Sequence, residues 1–518
     1  MGARPGKSER ASSTRRQTME ISAAAGKTVQ AFAPARTLAP STESYHRARQ
    51  IIGSVLETLP SSQRWHTHLT NELMPFWMME EAKGCPHGNF PTYRTNEGKL
   101  FDSYCPPIEF CTPVDGIVWL DRQHIRTQAR QTYVYGVAYH VTGDRKYLYL
   151  ARAGVDFFLE HALDPDGHPY EYLLTQENDR GAPGPKQRTS QSMAYALMGI
   201  GFYYYLTHDP KLLDPIISIK NYIFSTYFDE NLDLFQWVLE PSPDGDTPDQ
   251  KELVAQLDQI FAYMIWLAPA LPLGIRKEWF ADMDHIAKII ISQFYGPQHQ
   301  LFWGSITSVD NERYGQPHTD FGHSVKTFWL LHQLGKMRGD LFLNTFGANH
   351  AAHILSEAFL EDGTWARMLK PSGAHDCDKE WWICAVLDQT AATLALLDPG
   401  FASYLTSTYA CWFDYMVDKE HGEIWHYVDW QTKKPVINFP KQHAWKNGEH
   451  SLEHMLVAYI TTHQLHREVL PLYYALENQS DLVQPYSFLA REAGRQTLDS
   501  KEHDHLPPTC QITFTDIR

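Results

Sequence analysis

The chain has 518 residues, 43% of them hydrophobic and 13% aromatic, with a net charge of −16 at neutral pH. That charge disfavours nucleic acid and anionic membrane as principal partners and says little about fold. The seven cysteines are odd in number and show no regular spacing (Cys105 and Cys111 are close neighbours), which reads as thiols in a reducing compartment.

The first 45 residues, beginning MGARPGKSERASSTRRQTMEIS, are polar, basic and serine-rich, without the apolar run of a secretory signal. A disordered extension and a cytoplasmic protein are the expectations. No stretch reaches the roughly 18 continuous apolar residues that span a bilayer.

From residue 46 to 478 a pattern repeats. RTQARQTYVYGVAYHVTG is apolar on most sides and is followed by DRKYLYLARAGVDFFLEHAL, whose Leu148, Ala151, Val155, Phe158 and Leu159 fall on one helical face. The turn-and-aromatic segment DPDGHPYEYLL closes the unit. The same order returns from QSMAYALMGIGFYYYL, from AQLDQIFAYMIWLAP, from GHSVKTFWLLHQLG and from EWWICAVLDQTAATLALL; HSLEHMLVAYITTHQL stands last. The unit is roughly 60–75 residues, at or somewhat above the range of two-helix repeats.

Six nearly all-apolar helices alternating with one-faced helices predict an all-α fold, an (α/α)6 barrel of six helical hairpins. SQRWHTHLTNELMPFWMMEEA supplies the outer helix that closes the ring. Residues 479–518 are expected to form a polar tail packed on the barrel.

In such a ring the inner helices are parallel, and their N-termini converge on one mouth that favours anions and developing oxyanions. The polar and aromatic residues near those starts are the candidates: Gln128 and Arg130; Arg188 and Gln191; Gln256 and Asp258; Asp320 and His323; Lys379, Trp381 and Trp382; Lys446, Glu449, His450 and His454. His450 and His454 share the i, i+4 spacing of paired zinc ligands, but without the H-E-x-x-H order. His426 and His443 flank the same mouth.

WHTHLTNELMPFW, the QAR of RTQARQTYVY, LARAGVDFFLEHAL, DFGHSVKTFWLL, KEWW, GEIWHYVD and WKNGEH together resemble the N-acylglucosamine 2-epimerase family, which includes cellobiose 2-epimerases and aldose–ketose isomerases. The resemblance spans roughly residues 60–470. It implies an (α/α)6 barrel and proton transfer next to a sugar carbonyl by two histidines, here His323 and His450. Arg130 matches an arginine that holds a substrate oxygen, and Trp382 a stacking platform. Gln191, Gln256, Asp258, Lys326, Trp381 and Lys446 complete the expected substrate shell. No cofactor and no metal are expected, with a small-molecule substrate as partner and a homodimer as the assembly.

The chain departs from that pattern. Lys326 stands where several epimerases of the family carry Glu in FGH-x-x-E, and Val386 where a Glu often follows WW. Met193 stands where relatives have His or Gln, with Gln191 one register away; Ala255 and Gln256 occupy the stretch of another His. An isomerase acting on a sugar or sugar derivative is therefore the first expectation. A same-fold enzyme that isomerises, cyclises or eliminates on a less polar metabolite is the second. A glycan hydrolase or lyase using Asp258, Asp320 or Glu449 is the third, and a non-catalytic binding protein the fourth.

Overall fold

Turn chemistry at the helix ends sets the architecture. In the computed structural model, which describes residues 53, 55–101, 120–174, 182–183, 188–241, 246–306, 312–478, 481–498, 503 and 505–518, the chain is mostly helical. The helices used below are α1 (Ser62–Thr67, prolonged to Trp77), α2 (Ile125–Thr142), α3 (Arg145–His161), α4 (Ser190–Thr207), α5 (Leu213–Tyr227) and α6 (Leu253–Gln259, prolonged to Leu267). They continue with α7 (Leu273–Ile289), α8 (Phe321–Arg338), α9 (Leu341–Ala358), α10 (Trp381–Ala395), α11 (Ala402–Cys411) and α12 (Glu449–Leu465). The expectations for residues 1–45 and for Cys105 and Cys111 fall outside the described residues.

Gly143 ends α2 in the left-handed region (φ 71°), and Asp144 at once caps α3, its side chain accepting from the Lys146 N–H. Gly339 and Asp340 join α8 to α9 in the same way. A left-handed residue costs glycine least, and an aspartate cap satisfies the free N–H groups of the next helix. The resulting two-residue turn folds each pair back on itself.

The members of a pair differ in surroundings. α2 is buried at every position from Ile125 to Val141, whereas α3 buries chiefly a stripe including Tyr147, Leu148, Ala151, Val155 and Phe158. The fully buried helices touch one another in order: α2 on α4, α4 on α6, the prolonged end of α6 on α8, α8 on α10, α10 on α12, and α12 back on α2. The stretch Leu253–Ala270 is long and apolar enough to cross a membrane, but 89% of it is buried inside the protein, as befits a core helix.

After the outer helices come equivalent tight bridges: Leu163 to Pro169, Phe228 to Phe235, Tyr295 to Phe302, Phe359 to Trp365 and Val417 to Ile424. Each returns the chain to the start of the next inner helix.

The C-terminal residues build a sheet. β1 (Leu470–Tyr474) and β2 (Arg491–Leu498) both pair antiparallel with β3 (Thr509–Thr515). Between β1 and β2 the chain buries Val483, Tyr486 and Phe488. Tyr205 of α4 donates its hydroxyl to the Gln484 carbonyl, and Gln333 of α8 bonds Ser487. This segment thus lies against the inner helices, at the end opposite their N-termini.

Candidate functional site

Asp320 does two jobs with two oxygens. Oδ1 accepts the backbone N–H of His323 at 2.7 Å and so caps α8; Oδ2 lies 2.6 Å from His323 Nδ1. A carboxylate on Nδ1 puts the ring proton there and leaves Nε2 as the free nitrogen. Burial lowers the His323 pKa, and Asp320 opposes that shift.

The Trp382 ring stands next to both predicted histidines, its centroid 4.5 Å from His323 and 5.9 Å from His450. Glu380 holds the indole by accepting from Trp382 Nε1 at 2.7 Å, and Arg367 holds Glu380. His450 is stacked on Phe261 at 5.7 Å. Phe261 belongs to a single π-helical turn, Ile260–Met264, that interrupts α6; such turns recur at functional sites. Burial takes the His450 pKa down to about 3, despite Glu449, so the ring is neutral.

Charged side chains from four inner helices surround this pair. Lys326 Nζ donates to Asp258 Oδ1 at 3.1 Å and lies 4.2 Å from the Phe261 ring. Asp258 Oδ2 accepts from Gln191 at 2.6 Å, and Gln191 accepts from Arg126 at 3.2 Å. Burial alone would raise the Asp258 pKa, but Lys326 and Gln191 bring it below the usual range. Arg130 covers the Tyr195 ring at 3.8 Å, donates to the Trp445 carbonyl and sits 3.2 Å from Glu449. Position 326 thus holds a lysine whose charge is matched by Asp258.

The structure brings together His323, His450, Arg130, Gln191, Asp258, Lys326 and Trp382, with Trp381 one layer behind, 6.3 Å from His450. Two expected substrate ligands are corrected. Gln256 accepts from the Phe235 N–H and donates to the Phe235 carbonyl, which pins the hairpin after α5 and uses up its amide. Lys446, fully buried, bonds Glu423 and the Lys441 carbonyl.

Gln128, Arg188 and Lys379 are likewise spent, on the Gly88 and Gly154 carbonyls, on Asp164, and on the Trp365 and Cys377 carbonyls. At five of the six starts, then, one side chain joins the cluster around the two histidines and a neighbour ties down a connecting loop; at α8 the neighbour, Asp320, holds His323 itself. His454 turns toward Asp388 at 3.2 Å and packs on Trp412, so it shares no ring neighbour with His450. His443 Nδ1 accepts from the Trp445 N–H, so its Nε2 carries the proton donated to His426 Nδ1 at 2.9 Å.

Arg126, Phe261, Glu453 and Tyr486 join the site without having been singled out in the sequence. Glu453 had a usable signal: it lies one turn beyond His450 and, in EHSLEH, repeats Glu449 at i, i+4. Glu449, His450 and Glu453 offer ligand atoms within 4.8 Å of one another, a spacing that suits a cation. However, Arg130 already pairs with Glu449, and the Tyr486 hydroxyl already donates to Glu453 at 2.7 Å. The donor set fits a histidine held between two partnered carboxylates better than it fits a metal.

The fold is shared with helical sugar enzymes. No known family model matches the chain. A sugar epimerase from a ruminal bacterium superposes with a TM-score of 0.62 at 17% identity, covering 77% of this chain and 98% of that one. D-mannose isomerase superposes with a TM-score of 0.60 at 16% identity, covering 82% and 99%. In sequence, the cellobiose 2-epimerase of Bacteroides fragilis is 23% identical over 349 residues, 62% of this chain and 79% of the relative.

Proposed function

We propose that this protein is a cofactor-independent epimerase or aldose–ketose isomerase of the N-acylglucosamine 2-epimerase family, built on an (α/α)6 barrel and acting on a sugar or sugar derivative. The observation that carries the reading is the pair of histidines on separate inner helices that flank one tryptophan ring, one of them backed by a carboxylate. The closed order of inner-helix contacts and the likeness to a cellobiose 2-epimerase and a mannose isomerase support it.

The chemistry follows from the surroundings. A proton next to a carbonyl is removed by a neutral imidazole and a proton is returned by a charged one. Asp320 makes His323 the easier ring to charge, and His450 is the neutral base. His450 takes the proton from the carbon next to the carbonyl, and the electron pair moves onto the carbonyl oxygen, where Arg130 stabilises the charge. Return of a proton from His323 to the opposite face of the same carbon gives the epimer; return to the former carbonyl carbon, with the neighbouring hydroxyl passing its own proton to the former carbonyl oxygen, gives the ketose.

The hydrolase reading loses ground because its carboxylates are engaged: Asp258 by Lys326 and Gln191, Asp320 by His323, Glu449 by Arg130. The less polar substrate keeps one supporting observation, namely that Lys326, Asp258 and Gln191 bond one another. The test is incubation in D2O with a panel of aldoses, ketoses and β-linked disaccharides. The expected result is one deuterium at the carbon next to the carbonyl, abolished in His450→Gln. No exchange with any sugar by the folded protein would overturn the assignment.

A further inference from the structure

We infer that Glu453 is the positioning residue of His450, and that the C-terminal segment holds Glu453 through Tyr486, completing the site from the end opposite its mouth. The inference rests on the proton-transfer reading above.

Glu453 lies one helical turn after His450, with Oε2 3.7 Å from His450 Nδ1. Both atoms are buried; His450 Nδ1 has no hydrogen-bond partner among the described residues, and the other donor beside the Glu453 carboxylate is the side-chain amide of Gln389. A buried donor and acceptor left unmade at this distance are complementary to each other, and hydrogen bonds of this kind shorten when substrate binds. The pattern repeats that of His323, where a carboxylate three residues away receives Nδ1 and frees Nε2. Here the carboxylate follows the histidine instead of preceding it.

Glu453 is itself held. Tyr486 donates its hydroxyl to Glu453 Oε1 at 2.7 Å, and Tyr133 donates to the Tyr486 hydroxyl at 3.2 Å, so the Tyr486 proton is directed to the carboxylate. Tyr486 has a left-handed backbone (φ 57°), uncommon for a bulky side chain, and its N–H is fixed by the Tyr205 hydroxyl. Its ring lies parallel to Trp266 at 6.3 Å. With Oε1 occupied, Oε2 is the oxygen left to face His450. The other charges around the ring are Glu449, Lys326, Arg130 and Asp258.

The test uses the full chain. Nitrogen-15 histidine labelling, with His450→Gln supplying the assignment, reads which ring nitrogen of His450 carries the proton and needs no substrate. The expected result is Nδ1–H in the wild type and loss of that preference in Glu453→Gln, with a smaller change in Tyr486→Phe, which keeps the ring. On any sugar the wild type exchanges, Glu453→Gln should lower kcat at least tenfold with KM within threefold. Tyr486→Phe should lower kcat about threefold and shift the pH profile. An unchanged His450 tautomer in a folded Glu453→Gln overturns the inference; if that variant does not fold, an unchanged tautomer in Tyr486→Phe does so. A wild type that exchanges no sugar refutes the proposed function alone, because the tautomer remains measurable.

Discussion

Replacing Asp320 by Asn separates the two tasks of that side chain. Asn and Asp cap helices almost equally well, so α8 should lose only a few tenths of a kcal/mol. If the amide oxygen keeps the cap at the His323 N–H, the amide NH2 must face His323 Nδ1, where a carboxylate oxygen now stands at 2.6 Å. The ring proton is then driven to Nε2, the nitrogen meant to exchange protons with substrate. Two losses add. A hydrogen bond to a charged partner is worth roughly 1.5–3 kcal/mol, about one to two orders of magnitude in rate. General acid–base catalysis itself contributes about 10²–10⁴-fold. The expected outcome is a kcat about 10²–10⁴-fold lower, a thermal midpoint within a few degrees of wild type, and KM within threefold. Asp320 raises the His323 pKa against burial, so its removal lowers that pKa further. The limb of kcat/KM that requires charged His323 must therefore move to lower pH. Deuterium exchange and a pH series on the purified variant measure all of this. A folded Asp320→Asn protein that keeps more than a third of wild-type kcat would refute the dyad.

Gly322→Ala puts a Cβ 2.7 Å from the Trp382 ring and 2.8 Å from Ile383; the indole must move, with kcat down about tenfold or more and stability down by about 1–3 kcal/mol in thermal melts. Lys326→Met strands the buried Asp258 carboxylate and should destabilise the fold by about 3–5 kcal/mol in urea titrations; a loss below 1 kcal/mol would show that Gln191 alone satisfies Asp258. Gln256→Leu should cost about 1–3 kcal/mol while leaving KM unchanged; a raised KM would return Gln256 to the substrate shell. Burial holds His124 at about 3, His140 and His332 at about 4 and His450 at about 3. The unfolded chain protonates these near 6.5 and the native chain resists, so stability should fall as pH drops below about 6.5, by up to roughly 1.4 kcal/mol per pH unit for each histidine, and level off near pH 3–4. Calorimetric midpoints equal at pH 7 and pH 5 would contradict this.

Much of the helical layering was legible because burial leaves a periodic trace. α4 is apolar on nearly all sides, α2 is so beyond its first two turns and α3 on one side only, and this difference survives in the bare sequence. The site was legible only at its entrance. His323, His450, Arg130 and Trp382 stand at helix starts, where a polar residue among apolar neighbours stands out. Gln256 and Lys446 stand at equivalent starts and look the same, yet their side chains bond loops. Which way a polar residue turns at a helix start depends on the loop packed against it, and that loop lies in another repeat or tens of residues away. Tyr486 was hidden for a different reason: it comes from a polar stretch without period, and only the long-range packing of Gln484, Tyr486 and Ser487 against five inner helices gives it a place.

The lysine at position 326 carries the argument about substrate furthest. A glutamate there would stand within reach of Asp258, and two carboxylates sharing a buried site cannot both ionise cheaply. Lys326 and Asp258 instead form a neutral pair, and Gln191 satisfies the remaining aspartate oxygen. A pair that is internally satisfied offers fewer free acceptors to substrate hydroxyls than a lone carboxylate does. The acceptor that remains near His450 is Glu449 on α12, whose Oε2 faces Arg130 and whose Oε1 is left over. Hydroxyl recognition should therefore come mainly from the α12 side of the chamber, with the α6 and α8 side presenting Phe261, Trp382 and a matched ion pair. A substrate that is polar along one edge and apolar along the other fits this division better than a sugar hydroxylated evenly around its ring.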